Sequence, residues 1–170
     1  LVLEIEDAEA EILPRLAPAT RVEVLPIGIE MDRYLPRAPG RAPVVLLAAS
    51  WDWPPNRAGG LRFVEAGWVG VRTRVPEARL RIVGKALPGA LAQAARRAGA
   101  EPVGYVDDMR PEFAQAAVMV VPLWMGAGAR VKIVEALAAR LPVVTTTLGA
   151  EGLGLVPGTH ALFADTPEAL

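Results

Sequence analysis

The 170 residues suffice for one domain with a sizeable core, and 52% of them are hydrophobic, which sets aside a disordered chain. A net charge of −1 and an aromatic content of 5% offer no electrostatic or stacking platform for nucleic acid, and no attraction to an anionic membrane. With no cysteine and a single histidine, His160, the chain excludes disulfides, thiolate zinc sites and cysteine nucleophiles, and leaves one residue for any histidine-based triad or metal site.

No apolar run reaches the ~18 residues of a membrane-spanning helix. The opening residues, Leu1 to Asp7, carry no basic region, no cleavage pattern and no initiator methionine, so the chain is expected to be a piece of a longer protein. Arg21–Leu25 reads as a short strand ended by Pro26 and Gly28, and Met31–Gly40 as a loop rich in proline and charge. Pro43–Ala49 is a continuous apolar run, as in a strand buried on both faces. Asn56 is placed to cap a helix over Arg57–Arg74, with Leu61, Val64, Trp68 and Val71 on one face. Arg79–Val83 reads as a strand closed by Gly84, and Gly89–Ala98 as a helix stopped by Gly99. Pro102–Val106 follows as a strand. Asp107 or Asp108 can cap a turn of helix near Pro111–Ala116. Val118–Val121 reads as a strand, Gly128–Arg140 as a helix, Pro142–Thr146 and Ala161–Ala164 as strands, and a last helix is expected to begin at Thr166.

Strand and helix alternate throughout, which implies a parallel sheet with helices on both faces, an α/β Rossmann-like fold. Ligands on such sheets bind beyond the carboxyl ends of the strands. The loop after Val118–Val121 carries the most chemistry. Gly126 and Gly128 allow close backbone approach to a ligand. The helix that follows offers unpaired N–H groups and a positive dipole end, which suits phosphate. Arg130 and Lys132 add cations where the dipole alone would not favour them. Lys132 is one of only two lysines, the other being Lys85. Lys132 and Glu135 share a helical face and are expected to look outward, with Val131, Val134 and Ala138 on the apolar face and Ile133, Leu137 and Leu141 broadening it. Glu135 could accept hydrogen bonds from two ribose hydroxyls. From the pattern alone, a phosphate site and an ordinary α/β loop with a solvated Lys–Glu pair both stay open. Two other phosphate motifs fail. Val131 stands where the dinucleotide fingerprint needs its third glycine, which disfavours a dehydrogenase, and Gly84-Lys85 lacks the upstream glycine of a P-loop.

The stretch from Pro122-Leu through Gly126-Ala-Gly-Ala-Arg-Val-Lys-Ile-Val-Glu-Ala to Leu141-Pro-Val-Val-Thr-Thr resembles the signature of the group 1 (family 4) glycosyltransferases. Trp51-Asp-Trp-Pro-Pro-Asn, Ala78-Arg-Leu-Arg-Ile-Val-Gly, Gly104-Tyr-Val-Asp-Asp and Gly149-Ala-Glu-Gly-Leu match in order, and Pro26-Ile-Gly-Ile-Glu resembles a further segment. The resemblance covers about residues 22–170. It implies one half of a GT-B enzyme, the carboxy-terminal donor-binding domain. Residues 1–20 are then the end of an amino-terminal domain or an interdomain linker, and residues 21–170 the nucleotide-sugar-binding domain with its carboxy-terminal helix truncated.

The implied reaction moves a sugar from a nucleoside diphosphate sugar to an unknown acceptor, with retention of configuration. The resemblance assigns Arg130 and Lys132 to catalysis by charge stabilisation. It assigns Gly84, Gly104, Tyr105, Gly126, Gly128 and Glu135 to the donor, and Glu151, after a strand and between small residues, is a further candidate to face it. It implies no cofactor and no metal. The acceptor (sugar, lipid or polysaccharide) would come through the amino-terminal domain. A cytoplasmic enzyme of cell envelope polysaccharide biosynthesis is expected, membrane-associated or not in its full-length form, and the isolated piece is expected to be inactive. Three positions depart from the family pattern. Ala127 stands where many members carry a first glutamate eight residues before the second, Ala49 where glycine is usual, and Ile27 where asparagine is usual. A nucleotide-sugar epimerase of the same fold and a non-catalytic nucleotide-sugar-binding module are the alternatives. Trp51 and Trp53 are expected to pack rather than bind, and His160 to be structural or solvated.

Overall fold

The computed structural model of the chain describes residues 2–4, 7–19, 21–25, 28–34, 43–128 and 130–170. The main body is a six-stranded parallel sheet ordered β5-β4-β3-β6-β7-β8. Its strands are β3 (Val44–Ala48), β4 (Arg79–Val83), β5 (Glu101–Gly104), β6 (Val118–Val121), β7 (Val143–Thr145) and β8 (Leu162–Phe163). β3 sits near the centre, paired in parallel with β4 and β6. All five of its residues are buried, which explains its unbroken apolar run. Successive side chains alternate between the faces. Val45 and Leu47 join one core cluster, and Leu46 and Ala48 the other.

Helices cover both faces, as the alternation predicts. α2 (Pro54–Arg62), α3 (Trp68–Arg74) and α4 (Gly89–Arg97) lie over Leu80, Ile82 and Val120. α5 (Arg110–Gln115) and α6 (Val131–Ala138) lie over Met119, Val121 and Val143. The expected face of Leu61, Val64, Trp68 and Val71 does pack on the first cluster. The helix that carries it is not regular. A π-helical turn over Phe63–Gly67 joins α2 to α3.

Several boundaries differ from the sequence reading. Asn56 does not cap α2. Trp53 is the N-cap, and Pro54 and Pro55 fill the first turn, where their missing N–H groups leave no intrahelical bond unmade. α6 begins at Val131 rather than Gly128 and ends at Ala138, so the glycines stand outside the helix. Of its expected apolar face, Ile133, Ala138 and Leu141 are buried, whereas Val131 is 44% exposed. The helix before β6 is α5, with Met109 as N-cap, and Asp108 accepts the Arg110 backbone N–H from one residue further out. Thr166 opens only a hydrogen-bonded turn, with Ala169 and Leu170 N–H donating to its carbonyl.

The first strand predicted from sequence, Arg21–Leu25, is not part of the main sheet. β2 (Val22–Val24) pairs in parallel with β1 (Val2–Glu4), and α1 (Asp7–Leu16) connects them. A single 3-10 turn, Met31–Arg33, lies within the expected loop. Pro26, Ile27 and residues 35–40 of the sequence reading fall outside the described residues.

Candidate functional site

From β3 the chain runs outward through β4 and β5, then returns to build β6, β7 and β8 on the other side. The order therefore reverses between β3 and β6. Crevices at such a point, beyond the carboxyl ends of the strands, are where parallel sheets bind ligands. A cavity of about 410 Å³ lies there. Ala48, Ala49 and Ser50 enter it from the end of β3, Gly84 and Lys85 from β4, and Tyr105 and Val106 from β5. Trp53 and Asn56 come from the start of α2, Met109 and Phe113 from α5, and Arg130, Val131, Lys132 and Glu135 from α6.

The glycine loop shapes the side next to α6. Gly126 has φ +95° and Gly128 φ +104°, conformations that L side chains rarely adopt. At Gly126 a Cβ would also come within 2.8 Å of Trp53 and Pro55, whereas at Gly128 it would meet open space. Arg130 holds this loop. It is the N-cap residue of α6, is only 3% exposed, and donates to the carbonyls of Gly128 and Gly126. Its guanidinium carbon lies 5.8 Å from the centre of the Trp53 ring. The Arg130 Nε–H is buried without an acceptor among the described residues. A buried donor left unpaired is costly.

Lys132 and Glu135 do share a face, but it looks into the cavity and is half-buried rather than turned to solvent. The Lys132 ammonium donates to Asn56 Oδ1 at 2.6 Å. Burial, with a smaller contribution from the Arg130 charge, lowers its pKa from 10.5 to about 8. The Glu135 carboxylate accepts a 3.2 Å hydrogen bond from the Tyr34 hydroxyl. Burial and then the Glu135 charge push the Tyr34 phenol above its ordinary range. Lys85 pairs with Asp52 at 3.1 Å, and Lys85 lies on the cavity lining.

Gly84 has φ +130°, donates its N–H to the Gly104 carbonyl at 2.7 Å, and stands where a Cβ would lie 1.8 Å from the Ala49 carbonyl oxygen. The cavity thus gathers Gly84, Tyr105, Arg130, Lys132 and Glu135. Gly104, Gly126 and Gly128 support it from behind through backbone contacts. Glu151 is exposed beyond the 3-10 turn Leu148–Ala150 and is not among the lining residues. His160 closes a turn, its Nδ1 accepting the Val156 N–H. Trp51 is fully buried with its indole N–H on the Val83 carbonyl, as expected of a packing residue. Trp53 differs, since it lines the cavity.

Two participants were not read as such from the sequence. Asn56 was taken for a helix cap, although the prolines before it already occupy the first two helical positions and place it inside the turn. Tyr34 carried no signal, because its contact with Glu135 spans 101 residues of sequence.

The family model for group 1 glycosyl transferases matches residues 42–170. The chain belongs to the group 1 glycosyltransferases. Among solved structures, this glycosyltransferase chain is similar to the Anabaena protein HepE, crystallised with UDP and glucose, at 18% identity and a TM-score of 0.73, covering 99% of this chain and 50% of that one. It is similar to WaaG, a glycosyltransferase involved in lipopolysaccharide biosynthesis, at 20% identity and a TM-score of 0.68, covering 89% and 45%. It is also similar to a glycosyltransferase from Rickettsia africae, at 13% identity and a TM-score of 0.77, covering 99% and 50%. These likenesses fix the fold as one Rossmann-like half of the GT-B architecture. The chain spans about half the length of these relatives. No curated protein matches it.

Proposed function

We propose that this chain is the donor-binding domain of an enzyme that transfers a sugar from a nucleoside diphosphate sugar to an acceptor, with retention of configuration. The observation that carries the reading is the pair of cations, Arg130 and Lys132, that line one cavity at the amino terminus of α6. Two cations and a free helix end facing one cavity make a diphosphate site. Glu135 would accept the ribose hydroxyls, and Tyr105 would flank the base. The binding of UDP by HepE and the family membership support this assignment.

Breaking the bond between sugar and phosphate leaves negative charge on the diphosphate. Lys132, Arg130 and the first N–H groups of α6 are fixed beforehand where that charge develops, which is how such groups lower a barrier. The step requires neither cofactor nor metal. The acceptor would be brought by a second domain, with residues 1–20 leading from it and residues 21–170 forming the donor domain. A cytoplasmic role in cell envelope polysaccharide synthesis fits this chemistry, and no helix among the described residues is long and apolar enough to cross a membrane.

In the full-length enzyme, Lys132→Ala should lower turnover about 100-fold or more. Unchanged turnover would rule the assignment out. One observation favours a second reading, a nucleotide-sugar-binding module without catalysis: Ala127, exposed on the glycine loop, offers no carboxylate. Product analysis of the full-length enzyme with UDP- and GDP-sugars separates the two, and release of an epimerised sugar would instead identify an epimerase.

A further inference from the structure

We propose that Asn56 is a positioning residue that holds the Lys132 ammonium over the diphosphate site; the claim rests on the diphosphate reading above. Asn56 is 7% exposed, belongs to the first turn of α2 and lines the same cavity as Lys132 of α6. Its amide is oriented by its own contacts. Nδ2 donates to the Ser50 carbonyl at 2.8 Å, so Oδ1 must face the other way, and there it accepts Lys132 Nζ at 2.6 Å.

The choice of an amide has a chemical consequence. A neutral acceptor fixes a lysine in place and leaves its charge whole. A carboxylate at the same position would neutralise that charge and repel phosphate. The other charged groups lining the cavity are Arg130, Glu135 and Lys85, the last paired with Asp52. None of these ion-pairs with Lys132, so Asn56 is its one side-chain partner among the described residues. Asn56 also follows Pro54-Pro55, whose rings set the path of the first turn and hence the height of the amide above the sheet.

The test uses Asn56→Asp, nearly isosteric, and Asn56→Ala, with folding of each checked by its thermal transition. Trace labelling with acetic anhydride across pH, read by mass spectrometry, reports the titration of both lysines. Lys85 serves as the internal reference. In Asn56→Asp the Lys132 midpoint should move from about 8 toward 10.5, with Lys85 unmoved. An unmoved Lys132 midpoint would overturn the proposal, whatever nucleotides do.

Calorimetric titration with UDP and with GDP forms the second arm. Both variants should bind about ten-fold more weakly than the parent chain. The loss of affinity above pH 8 should persist in Asn56→Ala and move to higher pH in Asn56→Asp. If the parent binds neither nucleotide while the Lys132 midpoint still moves, the diphosphate reading fails and the positioning role falls with it. If the variants bind as tightly as the parent, Asn56 does not position a phosphate-binding group.

Discussion

The most informative single residue is Lys132, because its environment works against folding and for binding. Burial and the Arg130 charge hold its pKa at about 8, below the ordinary 10.5. Between those values the unfolded chain binds more protons than the folded one, so stability should rise with pH across that window. At neutral pH the half-buried ammonium costs on the order of 2 kcal/mol. Removing it also strands Asn56 Oδ1, which offsets part of the gain. Lys132→Met should therefore raise stability at pH 7 by about 1 kcal/mol, and the melting temperature by about 2–4 °C, while nucleotide binding is lost. A fall in melting temperature would contradict this account of the lysine. Lys132, Arg130 and Glu135 were legible in the sequence because they sit within six residues of one another on a loop and helix of recognisable type. Asn56 was not, since its partner lies 76 residues away and only the packing of α2 against the end of β6 brings them together.

That packing is decided at the scale of elements by glycine. A Cβ on Gly59 would lie 1.8 Å from the Pro122 carbonyl oxygen, at the start of the loop that leads to α6. Gly59→Ala must push α2 away from the sheet and should cost about 2–4 kcal/mol, measured by denaturant unfolding. Gly128→Ala meets open space and pays only for its φ of +104°, so its cost should be smaller, about 1–2 kcal/mol. Equal costs would mean that the α2 contact does not set the spacing. The strands β3 and β6 were readable from their apolar runs, because burial on both faces imposes that pattern, and β4 from Leu80, Ile82 and Val83 closed by Gly84. Helix ends were less so. Gly128 reads as the start of α6 in the sequence, yet its φ of +104° cannot enter a helix, and α6 begins only at Val131. The π-helical turn over Phe63–Gly67 leaves the apolar spacing intact and so left no trace in the sequence.

For the whole molecule, the carboxyl ends of β3, β4 and β5 and the start of α6 meet at one open cavity, and the strand order reverses between β3 and β6. The alternation of elements was enough to foresee a parallel sheet with ligands at its carboxyl ends, but not the strand order or the place where it reverses. The separate pairing of β1 with β2 was not, because a parallel pair of three-residue strands carries no pattern that ties it to one sheet or another. The 170-residue chain should bind nucleoside diphosphates through this half of the architecture. The most direct test is calorimetric titration of UDP and GDP into the chain and into its Lys132→Ala variant at pH 7. At least one nucleotide should bind saturably, and the substitution should weaken that binding about 10- to 100-fold. Binding of neither nucleotide, or equal binding by both proteins, would contradict the diphosphate reading.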